Sequence, residues 1–328
     1  MGATSKAILA FFILVCGTVA AGPATAQNYP AKPIRLIVPF APGGINDTVA
    51  RPVAERMRPV LGTIVIENRS GAGGVLGATA VARADADGYT LLLGSAATHI
   101  IGPVITTPRP YDPVKDFKSI SILAVSGFAI CVHPSLPAKT LKEFTVFASA
   151  NSRQLSYGSA GNGSGTHLAG ELFKSLINAP GIAHVPYRGG APMLVDLLGG
   201  HIPVGVGNIN GSLIDFHRSG RIRALAVTSS GRATAAPEIP TARESGLPGM
   251  IALNFAGLFV PAATPAVIVE KIAAATRVAM ADKGVLGLLA NAGVEVSADD
   301  TSDKAQRFVE TEITRWSPVI KPLGLKPN

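Results

Sequence analysis

Ten short apolar runs punctuate this chain, and helical patterns fall between many of them. The runs are "IRLIVPF", "TIVIENR", "TLLLGSA", "SISILAV", "FAICVHP", "QLSYGSA", "IAHVPY", "IPVGVGN", "IRALAVT" and "FAGLFVP". Several are apolar almost throughout rather than alternating, which is the mark of strands buried on both faces. Strands alternating with helices fold as largely parallel sheets covered by helices. About ten strands over 328 residues exceed what one compact sheet usually takes, so the pattern predicts two α/β domains.

The helical segments carry their own signals. Thr140-Leu141-Lys142-Glu143 forms a capping box opening a helix that runs to about Asn151. "HLAGELFKSLIN" puts Leu168, Leu172, Leu176 and Ile177 on one face. Pro192 stands near the start of "PMLVDLL" and Gly199-Gly200 end it, the usual helix asymmetry. Ala266 to Met280 reads as helix, and the last helix lines up Phe308, Val309, Ile313, Trp316 and Ile320. A crossing between domains is expected near Ser126 to Val132, with a return near Met250 to Gly257. That gives residues 27–127 and 251–328 to a first domain and 128–250 to a second.

The N-terminus has a separate logic. Lys6 is the one charge ahead of the apolar run Ala7 to Val15, and Ala24-Thr25-Ala26 supplies small residues at a cleavage-type spacing. Residues 1–26 therefore read as a secretory signal peptide, with the mature chain starting near Gln27 and addressed to the periplasm. Val15 is bulky for a lipid-attachment site at Cys16. With Cys16 removed only Cys131 remains, which excludes an internal disulfide. Removal of Lys6 lowers the formal charge from +8 to +7. The basic residues are scattered with few aromatics among them, which gives nucleic-acid binding little support.

Four glycine-rich turns raise the question of function: "PGGIND" after the first strand, "RSGAGGVLG" after the second, then "GSAGNGSGTH" and "YRGGAP". In open α/β sheets, ligands bind beyond the carboxyl ends of strands, where helix N-termini offer free N–H groups. Four such turns together point to a shared site for a small anion. Catalytic and cofactor patterns are missing: no P-loop, no GxSxG elbow, no HxxxH pair and no zinc cluster. His184 reads as a packing residue, whereas His167 opens a helix directly after a glycine-rich loop and could donate to a carboxylate.

The ordered blocks "YPAKPIRLIVPFAPGGINDTVAR", "VIENRSGAGGVLGATAVARADADGYTLLLGS", "LSYGSAGNGSGTHLAGELFK", "HVPYRGGAPMLVDLLGGHI" and "IPTARESGLPG" resemble the tripartite tricarboxylate transporter substrate-receptor family, the Bug-type periplasmic solute-binding proteins. The resemblance spans essentially the whole mature chain. It implies a two-domain clamshell (a Venus flytrap) that captures a small organic anion, a mono- or dicarboxylate or aromatic acid, without a cofactor or metal. It also implies a monomer that delivers its ligand to membrane permease subunits. Two other readings stay open beside it: a receptor that docks on a membrane sensor, and, more remotely, an organic-acid enzyme using His167. Matched to the family's loops, Phe40, Ala41, Gly43, Gly44, Asn46 and Asp47 form the first ligand loop, with Asp47 a helix cap and loop organiser. Gly94, Ser95 and Thr98 form the second. Ser159, Gly161, Asn162, Ser164, Thr166 and His167 face them from the other domain. Gly207-Asn208 stands where the family usually has an aspartate and asparagine, and Phe255 where it often has tryptophan. Asn208 and Phe255 are accordingly expected near the variable end of the ligand.

Overall fold

The computed structural model describes residues 29–297 and 301–325. The expected signal peptide, with Cys16, lies outside these residues. The described residues from Lys32 onward form one compact unit.

In chain order the strands are β1 (Ile34–Val38), β2 (Ile64–Asn68), β3 (Thr90–Gly94), β4 (Phe117–Val132), β5 (Ser156–Ser159), β6 (Ala183–Pro186), β7 (Val204–Asn208), β8 (Arg223–Val227), β9 (Leu253–Pro261) and β10 (Glu295–Val296). The helices that position the site are α1 (Ile45–Leu61), α2 (Val75–Ala82), α3 (Gly102–Ile105), α4 (Leu141–Asn151), α5 (Gly165–Leu176), α6 (Gly190–Leu198), α7 (Gly211–Arg218), α8 (Ala266–Met280), α9 (Lys283–Asn291) and α10 (Ser302–Ile320). The strands run in the order β2-β1-β3-β9-β4-β7-β5-β6, with β8 and β10 paired to β4. Pairing is parallel in the outer parts, β1 with β2 and β3, and β5 with β6 and β7. It is antiparallel around the centre, where β9 meets β3 and β4, and β4 meets β7, β8 and β10.

Two of the runs read as separate strands, "SISILAV" and "FAICVHP", are one sixteen-residue strand, β4. It changes partners midway: Phe117 to Gly127 pair with β9, and Phe128 to Val132 with β7. Gly127 at that point is required by close approach, since a Cβ there would come within 2.9 Å of the Ser229 backbone nitrogen. Buried Thr228 knits the crossing segments together. Its hydroxyl accepts the Phe128 N–H at 2.8 Å and donates to the Ala252 carbonyl at 2.6 Å. Its N–H bonds the Phe128 carbonyl, and its carbonyl takes the Ala252 N–H.

The helices obey the sequence signals with some shifts. Thr140 caps α4 through the Glu143 N–H, but the Glu143 carboxylate reaches back one residue further than a capping box, to the Lys139 N–H at 2.7 Å. In α5 Leu168 is buried and Ile177 follows it, while Leu176 turns to solvent. Val309, Trp316 and Ile320 of α10 are buried, with Phe308 and Ile313 packed against them. That helix lies on β4, where Ser302 donates to the Ser119 carbonyl and the Ser119 hydroxyl meets Gln306 at 2.8 Å. The helix α1 packs on α8, where the Thr276 hydroxyl meets Met57 Sδ at 4.0 Å.

Thr228→Val keeps the shape of the crossing but strands a buried N–H and a buried carbonyl. Each unmet group costs about 1–3 kcal/mol, so a Tm drop of several degrees is expected by calorimetry. An unchanged Tm would mean the crossing is held by its strand pairing alone.

Candidate functional site

The four glycine-rich turns converge. A cleft of about 360 Å³ is lined from the β1–α1 turn by Phe40, Gly44 and Asn46, and from the turn after β2 by Gly73. Ser95 and Ala97 enter it from beyond β3, and Gly161, Asn162, Ser164 and Thr166 from the β5–α5 loop. Gly189 and Gly190 at the start of α6, Asn208 at the end of β7, and Asn254 complete the wall. It continues into an outer cleft of about 750 Å³ that adds Ala41, Gly43 and Arg188.

Each turn has a reason for its glycines. Gly43 has φ of +79° and gives its N–H to Asp47 Oδ2 at 3.0 Å. Gly74, at +93°, sits so close to Phe40 and Thr98 that a Cβ would meet both at 3.0 Å. Asp47 is not the cap of α1, because Gly44 holds that position. Its carboxylate instead organises the loop: Arg51 clasps it at 2.7 and 2.9 Å, and Asn68 bridges it to the Phe40 carbonyl. Burial alone would raise its pKa, but the hydrogen bonds from Arg51, Gly43 and Asn68 and the Arg51 charge hold it below the usual carboxylate range.

The second loop is tied internally. Thr98 Oγ1 takes the Ser95 N–H at 2.8 Å and lies 3.0 Å from His99 Nδ1. Thr98 is fully buried and is not part of the cleft wall. Gly94 is likewise behind the wall, its Cβ space filled by His99 and Phe259. Phe255, expected near the variable end of the ligand, is buried in the core, edge-on to Phe308, and does not line the cleft. Its neighbour Asn254 does line the cleft.

On the other side, Ser164 caps α5 through the His167 N–H, and Thr166 Oγ1 accepts the Ala160 N–H at 2.9 Å. His167 does not line the cleft: its Nδ1 accepts the Gly163 N–H at 3.1 Å, which fixes the loop from behind. Its ring stacks on His184, centroids 3.8 Å apart. His184 therefore is not a remote packing residue. Its Nε2 meets Ser159 Oγ at 2.7 Å, and Ser159 in turn accepts the Gly161 N–H. Burial lowers the pKa of both rings and brings His184 down to about 4, helped by the neighbouring His167.

Among the described residues four buried side-chain polar atoms lack a partner, and two of them belong to wall residues. Asn46 Nδ2 and Ser95 Oγ are buried without a hydrogen-bond partner, in residues only 3% and 1% exposed. Both residues belong to the cleft wall. Sequence reasoning missed Ile45, Gly73, Ala97, Phe128, Ala160, Gly163, Gly165, Gly189, Gly190 and Asn254 as wall residues. The "YRGGAP" turn already carried the signal for Gly189 and Gly190. Among the described residues, no group of three or more His, Cys, Asp or Glu could hold a metal ion. Nor is any described helix long and apolar enough to cross a membrane.

Comparison with known proteins agrees with this architecture. The family described as "Tripartite tricarboxylate transporter family receptor" matches residues 49–325. Protein BugT of Bordetella pertussis is 34% identical over 322 residues, covering 98% of this chain and 97% of its own. The structure of MatC from Rhodopseudomonas palustris with bound malate is 34% identical, with a TM-score of 0.78 over 89% of this chain and all of that one. A second R. palustris protein, solved with adipate, is 33% identical with a TM-score of 0.78, covering 92% of this chain and 100% of its own. The fold is thus the mixed α/β fold of the periplasmic binding proteins. The chain belongs to the tripartite tricarboxylate transporter receptor family, a family of solute-binding receptors.

The stacked histidines make a testable demand. Their folded-state pKa values lie below the ordinary 6.5, so the unfolded chain takes up the protons first. Their part of the stability is complete above about pH 6.5 and is lost as pH falls toward 4. In His184→Gln the fall of Tm between pH 6.5 and 4 should be shallower than in the wild type, followed by circular dichroism. Identical slopes would remove His184 from the balance.

Proposed function

We propose that this protein is a periplasmic receptor that captures a small organic anion carrying a carboxylate and presents it to the permease subunits of a tripartite transporter. The observation that carries the reading is the pair of unmatched polar atoms, Asn46 Nδ2 and Ser95 Oγ, in an inner cleft wall without a charged side chain. A buried donor without a partner costs roughly 1–3 kcal/mol, and an anionic acceptor would relieve it. Helix N-termini at Gly44, Ser164 and Gly189 surround the same space and favour negative charge. The relatives bound to malate and adipate support the same class of ligand.

In this reading residues 1–26 are removed on export, 27–127 and 251–328 make one lobe, 128–250 make the other, and the receptor acts as a monomer without cofactor. Phe40, Ala41, Gly43, Gly44, Asn46, Ser95, Gly161, Asn162, Ser164, Thr166 and Asn208 face the ligand. Asp47, Gly94, Thr98, Ser159 and His167 shape its loops, and Phe255 backs them from the core. The protein is a binder and not a catalyst. The Ser159–His184 pair has a nucleophile's spacing, but Ser159 is fully buried, spends its hydroxyl on Gly161, and does not line the cleft.

The test is a thermal-shift panel of mono-, di- and tricarboxylates, aromatic acids and sugars. At a hundredfold excess over Kd a true ligand stabilises the fold by about 2.7 kcal/mol. Ser95→Ala should leave the Tm of the free protein unchanged or higher, because it removes an unmatched buried hydroxyl. The same change should weaken acid binding by about 1.5–3 kcal/mol, measured by calorimetry. Sugars outperforming acids, or full affinity in both Ser95→Ala and Asn46→Ala, would place the ligand elsewhere.

A further inference from the structure

The walls of the inner and outer clefts hold one formal charge between them, the guanidinium of Arg188. It is exposed and, among the described residues, forms no ion pair and no side-chain hydrogen bond. Arg51, on the helix that follows the first glycine turn, is committed to Asp47.

The backbone that carries Arg188 is fastened on both sides. Before it, the Tyr187 N–H bonds the Ser159 carbonyl at 3.1 Å, and the Tyr187 hydroxyl donates to Asp196 Oδ2 at 2.7 Å. After it, Gly189 takes φ of +125° and starts α6. Gly189 and Gly190 line both clefts, and Arg188, next to them in the chain, lines the outer one. The bond from Tyr187 also keeps Asp196, a nearby carboxylate, occupied elsewhere.

We propose that Arg188 is a specificity determinant for a second carboxylate: it makes the receptor prefer dicarboxylates long enough to reach the outer cleft over monocarboxylates of equal length. This rests on the carboxylate reading above and adds to it. The two ends of the cleft differ in chemistry. The inner end offers neutral donors, which suit one desolvated carboxylate. The outer end offers a guanidinium in contact with water, whose fork geometry suits a carboxylate and which loses little hydration in binding one. A ligand with an alkyl tail would leave that charge facing a methyl group and gain nothing from it.

The experiment compares matched pairs, adipate against hexanoate and pimelate against heptanoate, by calorimetry on wild type, Arg188→Gln and Arg188→Lys at fixed ionic strength. Wild type should favour the diacid of at least one pair by about tenfold, the worth of one charge-assisted hydrogen bond. Arg188→Gln should abolish that preference while leaving monoacid affinity within about twofold, and Arg188→Lys should keep part of it. Equal losses for mono- and diacids would reduce Arg188 to a general attraction and overturn the proposal, as would a diacid preference untouched in Arg188→Gln. A wild type that binds no acid of any kind overturns the carboxylate reading and this inference together, so the two failures are distinguishable.

Discussion

One strand is shared by two sheets, and the rest of the molecule hangs on it. Through Gly127 the backbone groups of β4 are committed to β9, and from Phe128 onward to β7 and β8. A strand that serves two sheets must bend or twist where its partners change, and a side chain at that point would be in the way. Gly127 removes it, and Ser229 fills the space. Thr228 then ties this crossing to the one before β9, using both its hydroxyl and its backbone. The glycine-rich turns face one another because the strands that lead into them are fixed on either side of these two crossings.

The cleft follows a consistent electrostatic policy. In the 360 Å³ part formal charges stand behind the wall, where they are neutralised, and neutral donors stand in it; Arg188 brings a charge only to the adjoining part. Asp47 would repel an anion, yet Arg51 and two further donors saturate its oxygens, so the carboxylate shapes the Gly43 turn without projecting its charge. The stacked His167 and His184 rings are kept neutral by burial and serve the opposite loop as acceptor and anchor. A fixed buried cation would bind an anion more tightly, but it would have to be desolvated in the empty protein. Dipoles and hydroxyls avoid that cost, and a receptor that must release its cargo has no use for the extra affinity.

Much of this was legible from the residues alone, and the failures have physical reasons. The glycine turns announced themselves because a positive φ and a close approach both require glycine. Individual side-chain duties were harder to read. Ser126-Gly127 looks like a break between strands, and only the long-range pairing of β4 shows that the strand continues through it. His184 looks like a packing residue because its contact with the β5–α5 loop depends on β6 lying beside β5, with Tyr157 opposite His184. Phe255 and Asn254 are adjacent in a strand, where one residue of offset exchanges core for cleft. The match to a known pattern drew attention to the aromatic position, while the structure gives the wall to the asparagine.

The distribution of donors also limits what either half can do alone. Asn46 and Ser95 come from loops that follow β1 and β3, whereas Ser164 and Thr166 come from the loop after β5. The hydroxyls of Ser164 and Thr166 already bond each other and the backbone at Ala160 and His167, so their side of the cleft is satisfied without a ligand. The β1–β3 side is not, since Asn46 Nδ2 and Ser95 Oγ have no partner. The two sides therefore differ: one is closed by its own hydrogen bonds, and the other holds two buried polar atoms without a partner. A ligand that satisfied those two atoms while resting against the closed side would link loops that the protein itself leaves unconnected by side-chain bonds.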